Sequence, residues 1–357
     1  MSHPQLLRRA IVSYSKLCYP AQKLITPANM SLKAIAHALG LSVTTVSRAL
    51  NGYDDVAEET RLRIQQEARR RGYRPNAVAR RLKTGRSNAV GLLFPVAPLP
   101  FNDASFVEMM GAIAQSLARA DIDLLIIADD THDDHRGMQR MLRTHCVDAL
   151  IVAHTTRHDS RLVKLQQLHF PFLALGRSQL DTPYAWFDFD NYAGPQLAVA
   201  HYAAQGLQRL AWLGSHHDQT FVSQRRQGFL DALEQHGLAR DSCWQAEPNR
   251  REGYRLTQTL LAQSEPPQAI VADCNMLGDG AAIALREAGR LTGPQRIELM
   301  VYDGLPGDSV IAEPVASIAQ ATRLDVGQQV AEMVLRLMQG EEVATLQVLW
   351  QPELKLP

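Results

Sequence analysis

The chain has 357 residues, 46% of them hydrophobic, which is enough for two or three domains with large apolar cores. Its 37 basic and 37 acidic residues are unevenly placed: residues 1–88 carry 16 basic and five acidic side chains, and residues 89–357 carry 21 and 32. A basic first segment on an acidic body predicts that the segment binds nucleic acid and that the body has another role.

The composition also argues against several classes of protein. The four cysteines have no paired spacing, so neither a zinc site nor a disulfide framework is predicted, and a reducing cytoplasm is expected. No run of about 18 apolar residues predicts a membrane span. The N-terminus lacks the pattern of a secretory signal.

Residues 1–29 differ from the rest of the chain, because Pro4, Pro20 and Pro27 interrupt them and Met30 directly precedes the first regular segment. We expect this N-terminal extension to be disordered or to lie upstream of a natural start at Met30. The alternative is a flexible basic arm that touches DNA phosphates.

The next stretch predicts two short helices around a tight turn. Ser31 can cap the first helix, and apolar residues recur at helical spacing up to Leu39. Gly40 favours a left-handed helix end, and Ser42 can cap a second helix that runs through Leu50. Such a pair forms a helix-turn-helix, whose second helix can lie in the DNA major groove. A helical hairpin inside a larger core is the alternative.

The second helix carries side chains suited to DNA. Val43, Thr44 and Arg48 lie off its apolar face and would meet base edges. The short hydroxyls of Thr45 and Ser47 suit phosphate oxygens. This helix is therefore the candidate reader of DNA sequence.

A third helix and a short basic helix come next. Val56 to Gly72 predicts the third helix, with acidic residues in its first turn and arginines in its last. Pro75 then disfavours helix in the preceding residue, and Asn76 can cap a short helix with one projecting leucine, Leu82. That helix is too short to be stable alone. It either folds on DNA with Leu82 wedged into the minor groove or is a charged linker.

From residue 89 onwards, short apolar runs alternate with helical segments. The predicted strands are AVGLLFPV, DLLIIAD, ALIVAH, PFLALGR, WFDFD, RLAWLG, AIVAD and IELMVYD. The predicted helices cover residues 106–120, 134–144, 194–205, 224–237, 253–262, 277–288 and 324–339. This alternation predicts parallel sheets with crossover helices, arranged as two doubly wound lobes. Ligands of such sheets bind at the carboxyl ends of the strands.

Polar side chains follow three of these strands. Asp190 ends WFDFD and Asn191 follows it, Arg225 opens the helix after RLAWLG, and Asp303 ends IELMVYD. Carboxylate, amide and guanidinium groups in one cleft can clamp vicinal hydroxyls through charge-assisted hydrogen bonds. Turn chemistry, a surface ion pair and a loop cap are the local alternatives.

The segments VTTVSRALNG and GYRPNAVARRLKTGRS, followed by the alternating body, resemble the lactose-repressor family of bacterial transcription regulators. The resemblance runs from Met30 to the C-terminus. It implies an all-α helix-turn-helix head over residues 30–74, a hinge helix and linker over 75–88, and a two-lobed α/β domain over 89–357. That domain would resemble periplasmic sugar-binding proteins, bind the effector and form the dimer.

The resemblance also implies a cytoplasmic repressor that binds operator DNA and a small sugar as a homodimer, with a tetramer left open. The implied DNA contacts are Ser42, Val43, Thr44, Thr45, Ser47, Arg48, Asn51, Asn76, Ala79, Arg80, Leu82 and Lys83. The implied effector contacts are Asn102, Asp103, Arg177, Asp190, Asn191, Phe221, Arg225, Asn249, Cys274, Asn275 and Asp303.

Several segments indicate which class of sugar the effector belongs to. DIDLLIIADD, AWFDFDN, GDGAAIAL and VYDGLPGDS are similar to regulators of α-galactoside use, which implies an effector such as melibiose or raffinose. The chain departs from the family at Cys274 and Asn275, where Asn-Asp is common, at Gly304, where a second acidic residue is frequent, and at Pro248, where some members have an aromatic residue. These departures alter the implied ligand contacts.

Two other classes of protein remain as alternatives. A sugar-transport protein would explain two lobes but would not carry a basic three-helix head. An enzyme could use the same lobes, but the sequence has no Gly-x-Gly-x-x-Gly loop after a strand, no Walker loop and no nucleophile elbow. We therefore predict no catalytic residue, metal or cofactor, and interpret His216-His217 and the segment His132 to His135 as solvated loops.

Overall fold

The computed structural model describes residues 31–50, 53–73, 85–95, 104–130, 133–240 and 242–357. The chain divides into two compact units, residues 1–85 and 86–357. The predicted extension and most of the predicted hinge segment lie outside the described residues.

The first unit contains three described helices: α1 (Leu32–Leu39), α2 (Val43–Leu50) and α3 (Glu58–Arg70). The Ser31 side chain accepts a hydrogen bond from the Ala34 backbone N–H at 3.1 Å, and Gly40 ends α1 with a left-handed φ of 64°. Ser42 Oγ accepts from the Thr45 backbone N–H at 3.0 Å at the start of α2. These local bonds are the predicted caps, and they set the turn between the two helices.

A small apolar core holds the three helices together. Ile35, Val46 and Ile64, one from each helix, are 0% exposed. Alanines and Val56 complete the cluster. Helix α3 begins and ends two residues inside the predicted range 56–72, because Ala57 and Arg71 are its flanking caps.

The second unit contains twelve strands and eight described α-helices. The strands are β1 (Ala89–Pro95), β2 (Asp123–Asp129), β3 (Ala149–Ala153), β4 (Phe172–Leu175), β5 (Ala185–Phe189), β6 (Leu210–Ser215), β7 (Cys243–Ala246), β8 (Ala269–Ala272), β9 (Glu298–Tyr302), β10 (Ala316–Ala319), β11 (Gln347–Trp350) and β12 (Glu353–Lys355). The helices are α4 (Ala104–Ala118), α5 (Arg136–Arg143), α6 (Ser160–Gln167), α7 (Ala193–Ala204), α8 (Thr220–Gln235), α9 (Arg250–Leu261), α10 (Asn275–Glu287) and α11 (Arg323–Met338).

The strands form two six-stranded sheets, each the centre of one lobe. The strand order is β11-β5-β4-β3-β1-β2 in the first lobe and β12-β10-β9-β8-β6-β7 in the second. Every pairing is parallel except that of β12 with β10, which is antiparallel. Apolar clusters cover both faces of each sheet, so each lobe is doubly wound as predicted.

The chain passes between the lobes three times. It leaves the first lobe after β5, returns between β10 and α11, and crosses again between β11 and β12. These crossovers lie at residues 190–192, 320–322 and 351–352. Asn191 and Gln320, from the first two crossovers, line the cavity between the lobes, so a group bound there lies close to segments that join the lobes.

The sequence did not predict α6 or the strands β7, β10, β11 and β12. These strands have three or four residues, and β7, β11 and β12 are edge strands with partly exposed side chains, so they lack a long apolar run. Helix α8 begins at Thr220, four residues before the predicted start, which places Arg225 in its second turn. Within the described ranges no helix is both long and apolar enough to span a lipid bilayer.

Candidate functional site

A cavity of about 240 Å³ lies between the two lobes at the carboxyl ends of their strands. Its walls combine aromatic and aliphatic side chains with carboxylate, amide, imidazole and guanidinium groups. The volume is somewhat below the ~300–1,000 Å³ typical of ligand pockets. The cavity therefore suits a small ligand that presents both polar and apolar faces.

Arg225 is the central polar group of the cavity. It is 7% exposed, its Nε donates to Asn191 Oδ1 at 2.9 Å, and its Nη1 donates to the Asp273 carbonyl at 2.6 Å. The guanidinium carbon lies 3.7 Å from the ring centre of Tyr302 and 4.9 Å from that of Phe221. Since planar guanidinium groups stack well on aromatic rings, these contacts fix the side chain before any ligand binds.

Asn191 connects Arg225 to the carboxylate of Asp188. Asn191 Nδ2 donates to Asp188 Oδ1 at 3.1 Å, and Arg177 Nε donates to Asp188 Oδ2 at 2.9 Å. Burial raises the pKa of Asp188, and the Arg177 guanidinium opposes that rise. The result is a chain of hydrogen bonds that runs from Arg177 through the wall of the first lobe to Arg225.

Asp273, the residue after β8, is a further site residue, which the sequence had not predicted. It is 2% exposed, and its Oδ2 accepts from the Ser215 backbone N–H at 2.7 Å. Its Oδ1 is buried and has no hydrogen-bond partner among the described residues. Burial raises the pKa of Asp273 to about 6. Its position at the end of the predicted strand AIVAD was the signal that could have identified it.

Aromatic rings lie beside these polar groups. The ring of His154 lies 4.9 Å from Phe106 and 6.4 Å from Phe221, centre to centre. Burial, aided by the charge of Arg161, lowers the pKa of His154 to about 4, so its imidazole is neutral at pH 7. Aromatic rings beside directional polar groups suit a sugar ring, whose C–H faces pack on aromatic carbon while its hydroxyls bind the polar groups.

Two contacts link the lobes across the cleft. Arg323, the first residue of α11, forms a 2.8 Å ion pair with Asp303, which follows β9 in the other lobe. The Thr220 backbone N–H donates to the Thr155 carbonyl at 2.9 Å. Asp303 has a left-handed φ of 61°, which a short polar residue tolerates better than most. A ligand that competes for Asp303 or Arg323 would therefore alter the link between the lobes.

The structure places the predicted effector residues in three groups. The residues that line the cavity are Asn191, Phe221, Arg225, Cys274, Asn275 and Asp303. Three others have different roles: Arg177 pairs with Asp188, Asp190 accepts from the Ala193 N–H at 3.0 Å, and Asn249 caps α9 by accepting from the Glu252 N–H at 2.9 Å. The remaining two, Asn102 and Asp103, lie outside the described residues.

Among the described residues, the cysteine and histidine side chains show no nucleophilic arrangement in the cavity. Burial and the nearby Asp273 raise the pKa of Cys274 well above the ordinary thiol value, so the thiol stays protonated. His135, predicted in a solvated loop, is instead 6% exposed, with Nδ1 2.6 Å from Asp129 and Nε2 2.8 Å from Ser160. It is not among the residues that line the cavity.

The first unit presents the predicted DNA-reading face to solvent. Ser42 and Thr44 are exposed, and Val43 is 40% exposed. Arg48 lies on the same helix, with its guanidinium 2.5 Å from Asp55 and 4.7 Å from the ring centre of Tyr53. The remaining predicted DNA contacts divide as follows: Thr45 and Ser47 are half-buried, whereas Asn51, Asn76, Ala79, Arg80, Leu82 and Lys83 lie outside the described residues.

Comparisons with known proteins match each of the two units to a described family. Residues 31–76 match the family described as "Bacterial regulatory proteins, lacI family". Residues 87–351 match "Periplasmic binding proteins and sugar binding domain of LacI family". The second match alone covers well over half of the chain.

Individual relatives lead to the same family. The chain is 49% identical over 323 residues to the Escherichia coli "HTH-type transcriptional regulator RafR". This alignment covers 90% of this chain and 96% of the relative. It is 34% identical to the Rhizobium meliloti "HTH-type transcriptional regulator AglR", covering 77% of this chain and 78% of that relative.

Solved structures share the fold. A transcriptional regulator from Yersinia pestis biovar Microtus aligns with a TM-score of 0.73 at 45% identity, covering 76% of this chain and 97% of that one. The lac repressor dimer bound to operator and the anti-inducer ONPF aligns with a TM-score of 0.79 at 23% identity, covering 91% and 97%. The chain therefore belongs to the LacI family of bacterial DNA-binding transcriptional regulators.

Proposed function

We propose that this protein represses a sugar-utilisation operon and is released from its operator by a small sugar that binds between the two lobes. The observation that carries the sugar assignment is the pairing of aromatic rings with fixed polar groups in one cavity, where Phe106 and Phe221 lie beside Asn191 and Arg225. A sugar ring packs its C–H faces on aromatic carbon while its hydroxyls bind directional polar groups. Arg225, held by Asn191, can donate to the same ligand.

We infer that the effector is an α-galactoside such as melibiose or raffinose. The segments that resemble α-galactoside regulators include AWFDFDN and VYDGLPGDS, which supply the cavity residues Asn191 and Asp303. The resemblance therefore covers the cleft itself as well as the supporting sheets.

Release of the operator requires that the sugar bind two arrangements of the lobes with unequal affinity. The Asp303–Arg323 ion pair would differ between such arrangements, because its partners belong to different lobes. Sugar hydroxyls that replace this pair would favour a new lobe angle. In a homodimer acting in the cytoplasm, that change would alter the distance between the two DNA-binding heads, so that it no longer matches the spacing of the operator half-sites.

Thermal melting against a sugar panel tests the effector. A ligand that binds the folded state raises the melting temperature by mass action. We expect a rise with melibiose or raffinose and none with maltose, sucrose or fructose phosphates. A rise with another sugar alone would reject the α-galactoside class, and no rise with any sugar would reject the cleft assignment.

Operator titration tests the DNA-binding half. Arg48→Ala should weaken specific binding by about 1–3 kcal/mol and relax the base preference, since the base contact assigned to Arg48 would be lost. Lys83→Ala should instead weaken binding to all DNA roughly equally and reduce the salt dependence. Unchanged operator affinity in Arg48→Ala would reject its assigned role.

A further inference from the structure

Three metal-ligating side chains meet beside the effector cavity. His216 and His217 lie in the loop after β6, and Glu247 lies in the loop after β7. His216 Nε2 is 3.3 Å from Glu247 Oε1, and His217 Nε2 is 3.2 Å from Glu247 Oε2. The potential ligand atoms of the three residues all lie within 4.8 Å of one another.

The geometry at His217 is poor for a hydrogen bond. Its side chain is only 6% exposed, and its buried Nε2 has no hydrogen-bond partner among the described residues despite the nearby carboxylate. Charged hydrogen bonds between nitrogen and oxygen are commonly about 2.7–2.9 Å long. Two donors bound to zinc at about 2.0–2.1 Å in a tetrahedral arrangement lie roughly 3.3 Å apart. The nitrogen–oxygen separations of 3.3 and 3.2 Å, each to a different oxygen of Glu247, lie close to this value.

Hydrogen bonds of backbone and side-chain groups hold the two loops in this arrangement. The His217 N–H donates to Ser215 Oγ at 3.2 Å, and Gln245 Nε2 donates to the Ser215 carbonyl at 3.0 Å. The His216 N–H donates to the Ala246 carbonyl at 3.2 Å, which joins the ends of β6 and β7. Fixed loops reduce the cost of bringing ligands together and favour metal binding.

We propose that His216, His217 and Glu247 bind one divalent transition-metal ion of the zinc class, with solvent as the fourth ligand. Two imidazoles with one carboxylate favour zinc, cobalt or nickel over calcium and magnesium, which prefer sets of oxygen ligands. His217 and the neighbouring Pro248 both line the effector cavity. The ion would cross-link two loops that form one wall of that cavity. The sequence alone had indicated a solvated loop here, but His217 is buried.

Calorimetric titration of the full chain with ZnCl₂, after removal of metal by a chelator, tests the site. We expect one zinc ion per chain. Co²⁺ added in place of zinc should give the intense visible absorption of a four-coordinate ion. Absence of zinc binding, or a weak spectrum typical of six-coordinate Co²⁺, would overturn the proposal.

Two variants locate the ion. Glu247→Gln keeps the shape of a half-exposed side chain and should weaken zinc binding about tenfold or more, as should His217→Gln. His236→Gln, at an exposed residue that follows α8, is the matched control and should bind zinc as the parent protein does. Because Glu247→Gln leaves the buried core intact, its unchanged zinc affinity would overturn the assignment even if His217→Gln fails to fold.

Discussion

Arg225 Nε donates to Asn191 Oδ1 over 2.9 Å, which ties the second turn of α8 to the first crossover between the lobes. The same guanidinium bonds the carbonyl of Asp273 and stacks on Tyr302. One side chain therefore connects a crossover, the end of β8 and the end of β9. A ligand that binds Arg225 would act on all three at once.

Arg225→Lys should abolish most sugar binding. The ammonium group of lysine keeps the charge but cannot donate in two fixed directions, so either Asn191 Oδ1 or the Asp273 carbonyl loses its partner. An unpaired buried acceptor costs about 1–3 kcal/mol, so the melting temperature should fall as well. Calorimetry with melibiose and a thermal melt measure the two effects.

The adjacent Arg226 provides the control for this variant. Arg226 is exposed, so Arg226→Lys makes the same chemical change on the same helix outside the cavity. It should leave sugar affinity and melting temperature unchanged. Equal sugar affinity in the two variants would show that Arg225 does not contact the ligand.

Gly194→Ala should distort the effector cavity indirectly, by displacing a side chain that supports Arg225. A Cβ at Gly194 would overlap the hydroxyl of Tyr302, whose ring supports the Arg225 guanidinium. Tyr302 is 0% exposed and cannot move without a shift of the core, so we expect a loss of about 1–3 kcal/mol in stability, together with weaker sugar binding. Gly307→Ala, where a Cβ meets nothing within 4 Å, should change neither property. Melting curves with and without sugar compare the two variants, and equal behaviour would contradict this packing argument.

The sequence predicted the elements whose signals are local. Ser31 and Ser42 cap the first two helices as expected, and the long buried strands were identified by their apolar runs. It missed strands such as β11 and β12, because an edge strand of three or four residues is defined by its partner in the sheet. Such pairing is a tertiary property that a short, partly exposed segment does not reveal.

The same distinction applies to the cavity. Asn191, Arg225 and Asp303 were selected because polar residues after parallel strands point into a cleft, and they line the cavity. Asn249 was also selected, but its side chain caps α9. Asp273 was missed although it ends the predicted strand AIVAD, and its burial is a property that only the folded arrangement creates.

Asp273 should make the protein less stable as pH rises. Burial raises its folded pKa to about 6, whereas an unfolded aspartate has a pKa of about 4. The folded state holds more protons between these values, so the stability contribution is complete below about pH 4 and is lost as pH rises through about 6. A difference of roughly two pKa units corresponds to about 3 kcal/mol lost by pH 7. Asp273→Asn should therefore melt higher at pH 7 and yet bind sugar more weakly, and a lower melting temperature at pH 7 would contradict the sign.

His154 should give the opposite pH dependence in the same range. Its folded pKa of about 4 lies below the unfolded value of about 6.5, so its contribution is present above the unfolded value and is lost as pH falls through about 4. The two contributions partly cancel in the parent protein. In His154→Asn, where asparagine tolerates the left-handed φ of 52°, stability should fall more steeply with rising pH. Melting temperatures at pH 4.5, 5.5 and 6.5 compare each variant with the parent protein, and a change of slope in the same direction in Asp273→Asn and His154→Asn would contradict at least one of the two assignments.

Ile35→Ala should separate DNA binding from effector binding. Ile35 is 0% exposed and packs with Val46 and Ile64 in the small core of the first unit. Removing a buried isoleucine side chain costs about 2–5 kcal/mol, and a three-helix head of this size has little stability to spare. The effector cavity is built from residues of the second unit, so its sugar affinity should not change. We expect operator affinity in gel-shift titrations to fall at least tenfold while the sugar-dependent rise in melting temperature persists. Retained operator affinity would show that the three-helix head tolerates the loss of the Ile35 side chain. Lost sugar binding would show that the two units do not fold independently.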